Sequence, residues 1–275
     1  GRASRTGLPL DVYLVDDLEE SCRLNGQPFL ARCARWLEPR ILRRAERVFV
    51  ISSGYVQHMR AKYGIHAEWL PIPFRDQKLV YRPYKPENPD IRTVAYIGAV
   101  NALYLSALKE FLDAAAEWNK TGASFKLKIL LLTYSSPAWL EKELAASSDW
   151  EIRYRVSTDE RKRTMEQCWA VFLPYSFEES VRVMVSTSFP SRLSECMTAG
   201  RPLLVYGPPY ATLPCYFLHN RLSLCVQSKS DLKTALGQID RFDSMATMRE
   251  YQAVLEKYHS AHAIRSVLMN RVRRD

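Results

Sequence analysis

The sequence predicts an α/β fold in which mostly parallel sheets are flanked by helices, arranged as two units. Apolar runs of strand length alternate with longer segments whose apolar residues recur at helical spacing. This alternation stops where five prolines fall between residues 71 and 89. Neither a helix nor an inner strand tolerates prolines at that density. We therefore predict an interdomain linker at residues 76–91.

The first unit, residues 1–75, carries three strand signals, at residues 11–17, 47–52 and 67–72. Between the first two strands, apolar residues recur at helical spacing from residue 29 to 48, and Pro39 is expected to bend or divide that helix. Ser52 or Ser53 can cap the next helix, and Gly64 can end it. A Rossmann-type domain uses about six strands. The first unit is therefore predicted to be an incomplete Rossmann-like domain.

The second unit, residues 92–250, has enough elements for a complete doubly wound Rossmann-like domain. Its strands are predicted at residues 93–98, 126–133, 150–155, 169–175 and 202–207. Helices are predicted near residues 103–118, 136–146, 158–168, 190–199 and 230–240. A long last helix is predicted over residues 245–272, and we expect residues 251–275 to pack back toward the first unit.

Composition and charge narrow the class of protein. Apolar residues make up 47% of the chain and charged residues 25%, as in ordinary globular proteins. No apolar run reaches the roughly 20 residues that span a bilayer. The six cysteines form no C-x-x-C pair, so we predict free thiols in a cytoplasmic protein and no zinc site. The net charge of +9 favours acidic partners.

Much of this positive charge lies in residues 32–47, which also contain Trp36 and Leu37. The arginines of this segment are Arg32, Arg35, Arg40, Arg43, Arg44 and Arg47. A solvated helix face explains them, and so does a helix that contacts an anionic membrane surface. Nucleic acid is not predicted as a partner, because no known binding module is recognisable.

Two acids, Asp16 and Asp17, follow the first predicted strand. They can cap a loop or the next helix, or line a cleft between the two units. A metal-binding acid pair of the receiver type would need a further Asp after the next strand, where 48-VFVISSG-54 offers only serines.

The most informative segment is 188-SFPSRLSECMTAGRPLLVYGPP-209. Ser188 can cap a helix that Pro190 begins and Gly200 ends. A helix start exposes free N–H groups, and Arg192 in its first turn would add a guanidinium for a phosphate. Glu195 follows one turn later on the same face, within reach of vicinal hydroxyls. The alternative is a solvated helix on which Arg192 and Glu195 pair with each other.

The run P-S-R-L-S-E-C-M-T-A-G-R-P, residues 190–202, resembles the nucleotide-sugar signature of GT-B glycosyltransferases, particularly family 4. Residues 45–64, 68–74, 94–108 and 159–180 resemble other parts of that family in the same order. The resemblance implies two Rossmann-like domains. It also implies sugar transfer from a nucleoside-diphosphate sugar, with retention of configuration and without metal or cofactor. The acceptor would be a glycan, a lipid or a small molecule.

The resemblance also implies a set of donor-binding residues. Glu195 would bind the ribose, and Ser191 and Arg192 the diphosphate. Gly98 and Asn101 would lie in the glycine loop that faces the donor. Tyr175 and residues 176–179, which include Glu179, would flank the sugar.

The chain departs from the family at three places. Thr187 stands where one form of the signature has its first acid, so Glu178 or Glu179 would replace it. The loop after Gly98 lacks the usual Arg and Lys, which leaves Arg192 and Arg182 to supply charge. The usual His of the N-terminal domain is absent at residues 14–17. No catalytic residue is assigned, and a non-catalytic nucleotide-sugar-binding module or a GT-B epimerase is the alternative function.

Overall fold

Parallel strands form two separate sheets in the computed structural model, which describes residues 9–74, 78–81, 83–145, 149–222 and 224–270. One sheet has three strands and the other has six, and every strand pair is parallel. This confirms the predicted α/β class. The ends of the predicted units, residues 1–8 and 271–275, lie outside the described residues, as do residues 75–77 at the predicted start of the linker.

The first unit contains the three predicted strands, in the order β1-β2-β3. They are β1 (Asp11–Leu14), β2 (Arg47–Val50) and β3 (Glu68–Trp69). Its helices are α1 (Leu18–Leu24), α2 (Pro28–Leu42) and α3 (Ser53–Tyr63). Helix α2 is one helix with Pro39 inside it, so the proline does not divide it. Ser52 caps α3 through the Tyr55 N–H, and Gly64 ends α3 in the left-handed region at φ 66°.

The second unit has the strand order β6-β5-β4-β7-β8-β9, the arrangement of a complete doubly wound domain. Its strands are β4 (Ile91–Ile97), β5 (Lys126–Thr133), β6 (Trp150–Tyr154), β7 (Ala170–Pro174), β8 (Leu203–Tyr206) and β9 (Cys225–Val226). Its helices are α4 (Leu105–Lys120), α5 (Ala138–Ala145), α6 (Thr158–Gln167), α7 (Arg182–Thr187), α8 (Leu193–Thr198), α9 (Thr212–His219), α10 (Lys229–Leu236) and α11 (Met245–Val254). Short 3-10 helices cover Glu179–Val181 and Ile239–Phe242. None of the described helices is both long and apolar enough to cross a bilayer.

In the predicted linker, residues 78–81 and 83–90 contain no helix or strand, whereas Ile91 already belongs to β4. The linker is held against the second unit by hydrogen bonds. The Leu79 N–H donates to Gln252 Oε1 at 2.8 Å, the Tyr81 hydroxyl to the Asp243 carbonyl at 2.7 Å, and the Tyr84 N–H to Asp243 Oδ2 at 2.8 Å. The described residues of the linker are therefore packed against the second unit.

The end of the chain returns to the first unit. After α11, a π-helical turn (Leu255–His259) leads to α12 (Ala261–Met269). The His259 carbonyl accepts a hydrogen bond from the Phe74 N–H at 2.7 Å, and Arg47 donates to the carbonyls of Val267 and Leu268, each at 2.6 Å. The single helix predicted over residues 245–272 is wrong. The helix breaks at Ser260, which is extended and caps α12.

One apolar core joins the two units. Fully buried side chains of the first unit, such as Ile51 and Tyr55, belong to the same cluster as Val205 and Phe217 of the second. The other face of the larger sheet packs on α4, where Phe111 and Phe172 stack with their ring centroids 4.0 Å apart. The two units are therefore packed into one body, with the cleft between them at the carboxyl ends of the strands.

Candidate functional site: a cleft between the two sheets

A cavity of about 520 Å³ opens between the two units. Val15 and Asp16, just after β1, lie on one side. The ends of β4 and β7 lie on the other, at Gly98 and Pro174. The order of strands in the larger sheet reverses between β4 and β7, and ligands of open α/β sheets bind at such switch points. The cavity therefore lies where the topology favours a ligand.

The loop after β4 forms one wall of the cavity. A Cβ atom on Gly98 would lie 3.0 Å from the Tyr96 hydroxyl, which donates to the Ala99 carbonyl at 2.5 Å. The Asn101 side-chain oxygen accepts from the Leu103 N–H at 3.0 Å, and the Asn101 carbonyl accepts from Leu105 N, where α4 begins. Both predicted donor-binding residues of this loop, Gly98 and Asn101, line the cavity. Asn101 also shapes the turn.

Residues 188–192 also line the cavity and, like the loop after β4, belong to the second unit. The prediction that Ser188 caps a helix starting at Pro190 is wrong, because α8 begins only at Leu193. The Ser188 carbonyl accepts hydrogen bonds from the hydroxyls of Tyr175 at 3.1 Å and Thr212 at 2.6 Å, and the Ser188 hydroxyl donates to Asp16 Oδ1 at 3.3 Å. These tertiary bonds hold Ser188 in an extended conformation. Ser191 and Arg192 consequently lie on a loop that lines the cavity.

Arg192 and Glu195 do not form the ion pair considered as an alternative. Glu195 Oε1 instead accepts from Nε of Arg161, on α6, at 3.0 Å. Arg161 lines a small recess beside the cavity together with Arg155 and Arg192. Three arginine residues therefore line this recess. Sequence reasoning missed Arg155 and Arg161, and the basic run 160-ERKR-163 before β7 was the available signal.

Four predicted donor-binding residues lie outside the lining of the cavity, namely Glu195, Tyr175, Glu179 and Arg182. Tyr175 is fully buried, and burial raises the pKa of its hydroxyl. Glu179 and Arg182 form an ion pair at 3.1 Å on the surface, where their side chains are 77% and 51% exposed. The Arg182 guanidinium also lies 4.2 Å from the ring centre of Tyr210. In this arrangement Tyr175 positions residue 188, and Glu179 and Arg182 face solvent.

The two consecutive acids at the end of β1 have different surroundings. Asp16 lines the cavity, whereas Asp17 is fully buried and caps α1 through the Glu20 N–H. Burial raises the pKa of Asp17, but the hydrogen bonds from His58 and Lys62 outweigh it and bring the pKa to about 2. One acid thus anchors α1 to α3, and the other faces the cleft.

Among the described residues that line the cavity, Asp16 has the only carboxylate and Arg192 the only guanidinium. Asp16 belongs to the wall formed by the first unit, together with Ser21, Leu24 and Asn25. Arg192 belongs to the wall of the second unit. The cavity therefore has an acidic, hydroxyl- and amide-bearing side and a basic side.

Neither a protein family nor a curated protein sequence matches the chain, but solved structures match its fold. Sucrose-phosphate synthase from Thermosynechococcus elongatus is similar, with a TM-score of 0.67, 13% identity, and coverage of 98% of this chain and 68% of that one. The α,α-trehalose 6-phosphate synthase from Burkholderia multivorans has a TM-score of 0.64 at 9% identity, covering 97% and 66%. The pneumococcal O-GlcNAc transferase GtfA, solved with UDP and GlcNAc, has a TM-score of 0.55 at 13% identity, covering 85% and 47%.

These structures are GT-B glycosyltransferases, and the chain has the GT-B fold. It spans about two thirds of the first two structures and about half of the third. These shares agree with an incomplete N-terminal Rossmann-like domain, whose described sheet has three strands. Membership of family 4 in particular stays a prediction.

Proposed function

We propose that the chain binds a nucleoside-diphosphate sugar in the cavity between its two units and transfers the sugar to an acceptor. The observation that carries this proposal is the position of Arg192, which lines the cavity at the switch point of a doubly wound sheet. The GT-B fold supports the proposal, since the similar solved proteins include two sugar-phosphate synthases and a GlcNAc transferase.

The diphosphate is proposed to lie against Ser191 and Arg192. A guanidinium presents paired N–H donors that match phosphate oxygens, and Arg155 and Arg161 add positive potential from the adjoining recess. Charge that develops on the leaving nucleoside diphosphate would be stabilised by these fixed cations. Transfer without a metal, and with retention of configuration, is part of this proposal.

Glu195 is proposed to bind the ribose hydroxyls of the donor. Its side chain is 30% exposed, and the Arg161 bond holds one carboxylate oxygen in place. A carboxylate accepts hydrogen bonds from vicinal hydroxyls while Arg161 balances its charge. Gly98 and Asn101 would contact the donor from the loop after β4.

The acceptor is proposed to enter along the wall that belongs to the first unit. Asp16, Ser21 and Asn25 offer acceptors and donors for hydroxyl groups there. A glycan, a lipid headgroup or a small molecule bearing hydroxyls meets this requirement.

Isothermal titration with UDP, GDP and ADP tests donor binding. We expect at least one of the three nucleotides to bind the unmodified protein, and Arg192→Ala to weaken that binding about tenfold or more. Arg182→Ala removes the same charge at an exposed site outside the cavity and should leave the affinity unchanged. The proposal fails if none of the nucleotides binds, or if both variants reduce the affinity equally.

A nucleotide-sugar-binding module without transfer is the second candidate. One observation favours it: Asp16 is the only carboxylate among the described lining residues, so the cavity offers few groups for proton transfer. Release of UDP from a UDP-sugar in the presence of acceptor mixtures separates the two candidates, because a module would bind the donor and release nothing.

A further inference from the structure

Helix α2 exposes a broad apolar face. Its inner face, Ala31, Ala34, Glu38 and Leu42, is buried against the protein. Five large apolar side chains are between 44% and 74% exposed, namely Phe29, Leu30, Trp36, Leu37 and Ile41. At about 100° per residue these five fall within an arc of about 140°. An exposed apolar arc of this width marks a surface that contacts a membrane or a partner.

The exposed surface of the same helix carries only positive charge. Arg32, Arg35 and Arg40 are exposed on α2, and Arg43 and Arg44 follow it directly. The one acid of α2, Glu38, is 6% exposed and accepts a hydrogen bond from the Tyr63 hydroxyl at 2.6 Å. No carboxylate of α2 therefore offsets these arginines at the surface.

The arginines and the apolar side chains share the outer part of the helix. On a helical projection Arg32, Arg35 and Arg43 flank the apolar arc on one side, while Arg40 and Arg44 fall within it. The Arg40 guanidinium lies 3.7 Å from the ring centre of Trp36. An apolar arc of Phe, Trp and Leu bordered by Arg is typical of a helix that lies in the interface of a bilayer.

We propose that α2 is a docking surface for anionic phospholipid membranes. Trp36, Phe29 and their apolar neighbours would enter the boundary between headgroups and acyl chains. The arginines would extend their guanidinium groups to the phosphates. A second copy of this chain fits less well, because an isologous contact through α2 would oppose two sets of five arginines.

Helix α2, the proposed docking surface, follows closely in sequence on helix α1, which lines the cavity. Residues 25–27 alone separate α2 from α1, and Ser21 and Leu24 of α1 line the cavity. The membrane proposal is independent of sugar transfer. If both hold, an acceptor carried by a lipid would have a short path to the acceptor wall.

Co-sedimentation with vesicles tests the proposal on the full chain. Vesicles of phosphatidylcholine alone are compared with vesicles of phosphatidylcholine mixed with phosphatidylglycerol. We expect binding to the anionic vesicles only, and weaker binding as salt rises. Phe29→Ala with Trp36→Ala should lower the vesicle affinity about tenfold or more. Arg32→Gln with Arg35→Gln should lower it roughly thirtyfold.

Matched controls separate docking through α2 from a general effect of charge or exposed apolar area. Arg241→Gln with Arg249→Gln removes the same charge from exposed residues elsewhere. Leu218→Ala with Met245→Ala removes side chains that are 52% and 56% exposed. Neither pair should change the vesicle affinity, and circular dichroism checks that each variant is folded.

Three results would overturn the proposal. The first is an absence of binding to anionic vesicles. The second is an equal loss of binding in the α2 variants and their controls. The third is self-association in analytical ultracentrifugation that Trp36→Ala abolishes without any lipid binding, which would make the face an interface between copies.

Discussion

A Cβ atom placed on Gly54 would lie 2.1 Å from the carbonyl oxygen of Ser186. The start of α3 in the first unit therefore rests directly on α7 of the second. The neighbouring Ser52 hydroxyl donates to the Thr187 carbonyl at 2.5 Å. Because α7 runs into residues 188–192, this contact also fixes the loop that lines the cavity.

Gly54→Ala should lower the free energy of unfolding by about 1–3 kcal/mol. The atom met by the new methyl group is a backbone carbonyl, which cannot move without moving α7. Urea denaturation measures the effect. Gly237→Ala is the control, since a Cβ there meets its nearest atom at 3.6 Å. Equal stability of the two variants would show that the two units are not in close contact at Gly54.

Arg161→Ala should weaken UDP binding about tenfold, because it removes a guanidinium beside Arg192 and releases Glu195. Lys162→Ala is the matched control, since Lys162 is 68% exposed and pairs only loosely with Glu166, at 4.0 Å. Isothermal titration compares the two. An unchanged affinity in Arg161→Ala would exclude the recess from donor binding.

Acid should destabilise the protein through Asp17. The pKa of this carboxyl is about 2 in the folded protein, below its ordinary value of 3.8. The unfolded chain therefore binds the proton more readily. The stabilisation is complete above about pH 5 and is lost as the pH falls toward 2, and it amounts to about 2 kcal/mol.

Asp17→Asn measures this contribution by difference. Urea denaturation of both proteins at pH 7 and pH 3 should give a smaller stability gap at pH 3, where the unmodified protein has lost part of the advantage. Asp16→Asn, whose carboxylate lines the cavity, is the neighbouring control. A gap that does not change with pH would contradict the ion pairing of Asp17 with Lys62.

His259 should make stability depend on pH in a higher range. The ring is buried, with Nδ1 donating to the Ile72 carbonyl at 2.8 Å and Nε2 accepting from the Tyr216 hydroxyl at 2.9 Å. Burial lowers the pKa of His259 below its ordinary value of 6.5. The unfolded chain binds the proton first, so stability present above pH 6.5 declines as the pH falls below it. Thermal melts between pH 7.5 and 5.5 should show this decline, and His259→Gln should reduce it.

All the described strands except the two-residue β9 were predictable, because parallel strands buried on both faces are continuous apolar runs, as in 127-LKILLLT-133. Elements whose bounds depend on contacts with residues far away in the sequence could not be predicted. Helix α9, which contains Pro214, was missed. The break in the long last helix was also missed, because the Phe74 N–H donates to the His259 carbonyl at that point. Local sequence contains no sign of that contact.

In the site, too, residues that depend on local sequence could be predicted and those that depend on long-range contacts could not. Gly98, Asn101, Ser191 and Arg192 could be placed by motif and by the ends of the strands. The pairing of Arg161 with Glu195 could not be predicted, because the two residues are 34 positions apart along the chain. The start of α8 was misplaced since the hydrogen bonds that hold Ser188 come from Tyr175 and Thr212, each on another element.

The polypeptide passes between the two units twice, once near Phe74 and again at His259, and the two passages are joined by the Phe74–His259 backbone bond. Because the two crossings are adjacent, the easiest movement of one unit relative to the other is a rotation about an axis through them. Opening of the cleft about this edge would have to break the hydrogen bonds of Ser52 with Thr187 and of Ser188 with Asp16, which also join the two units.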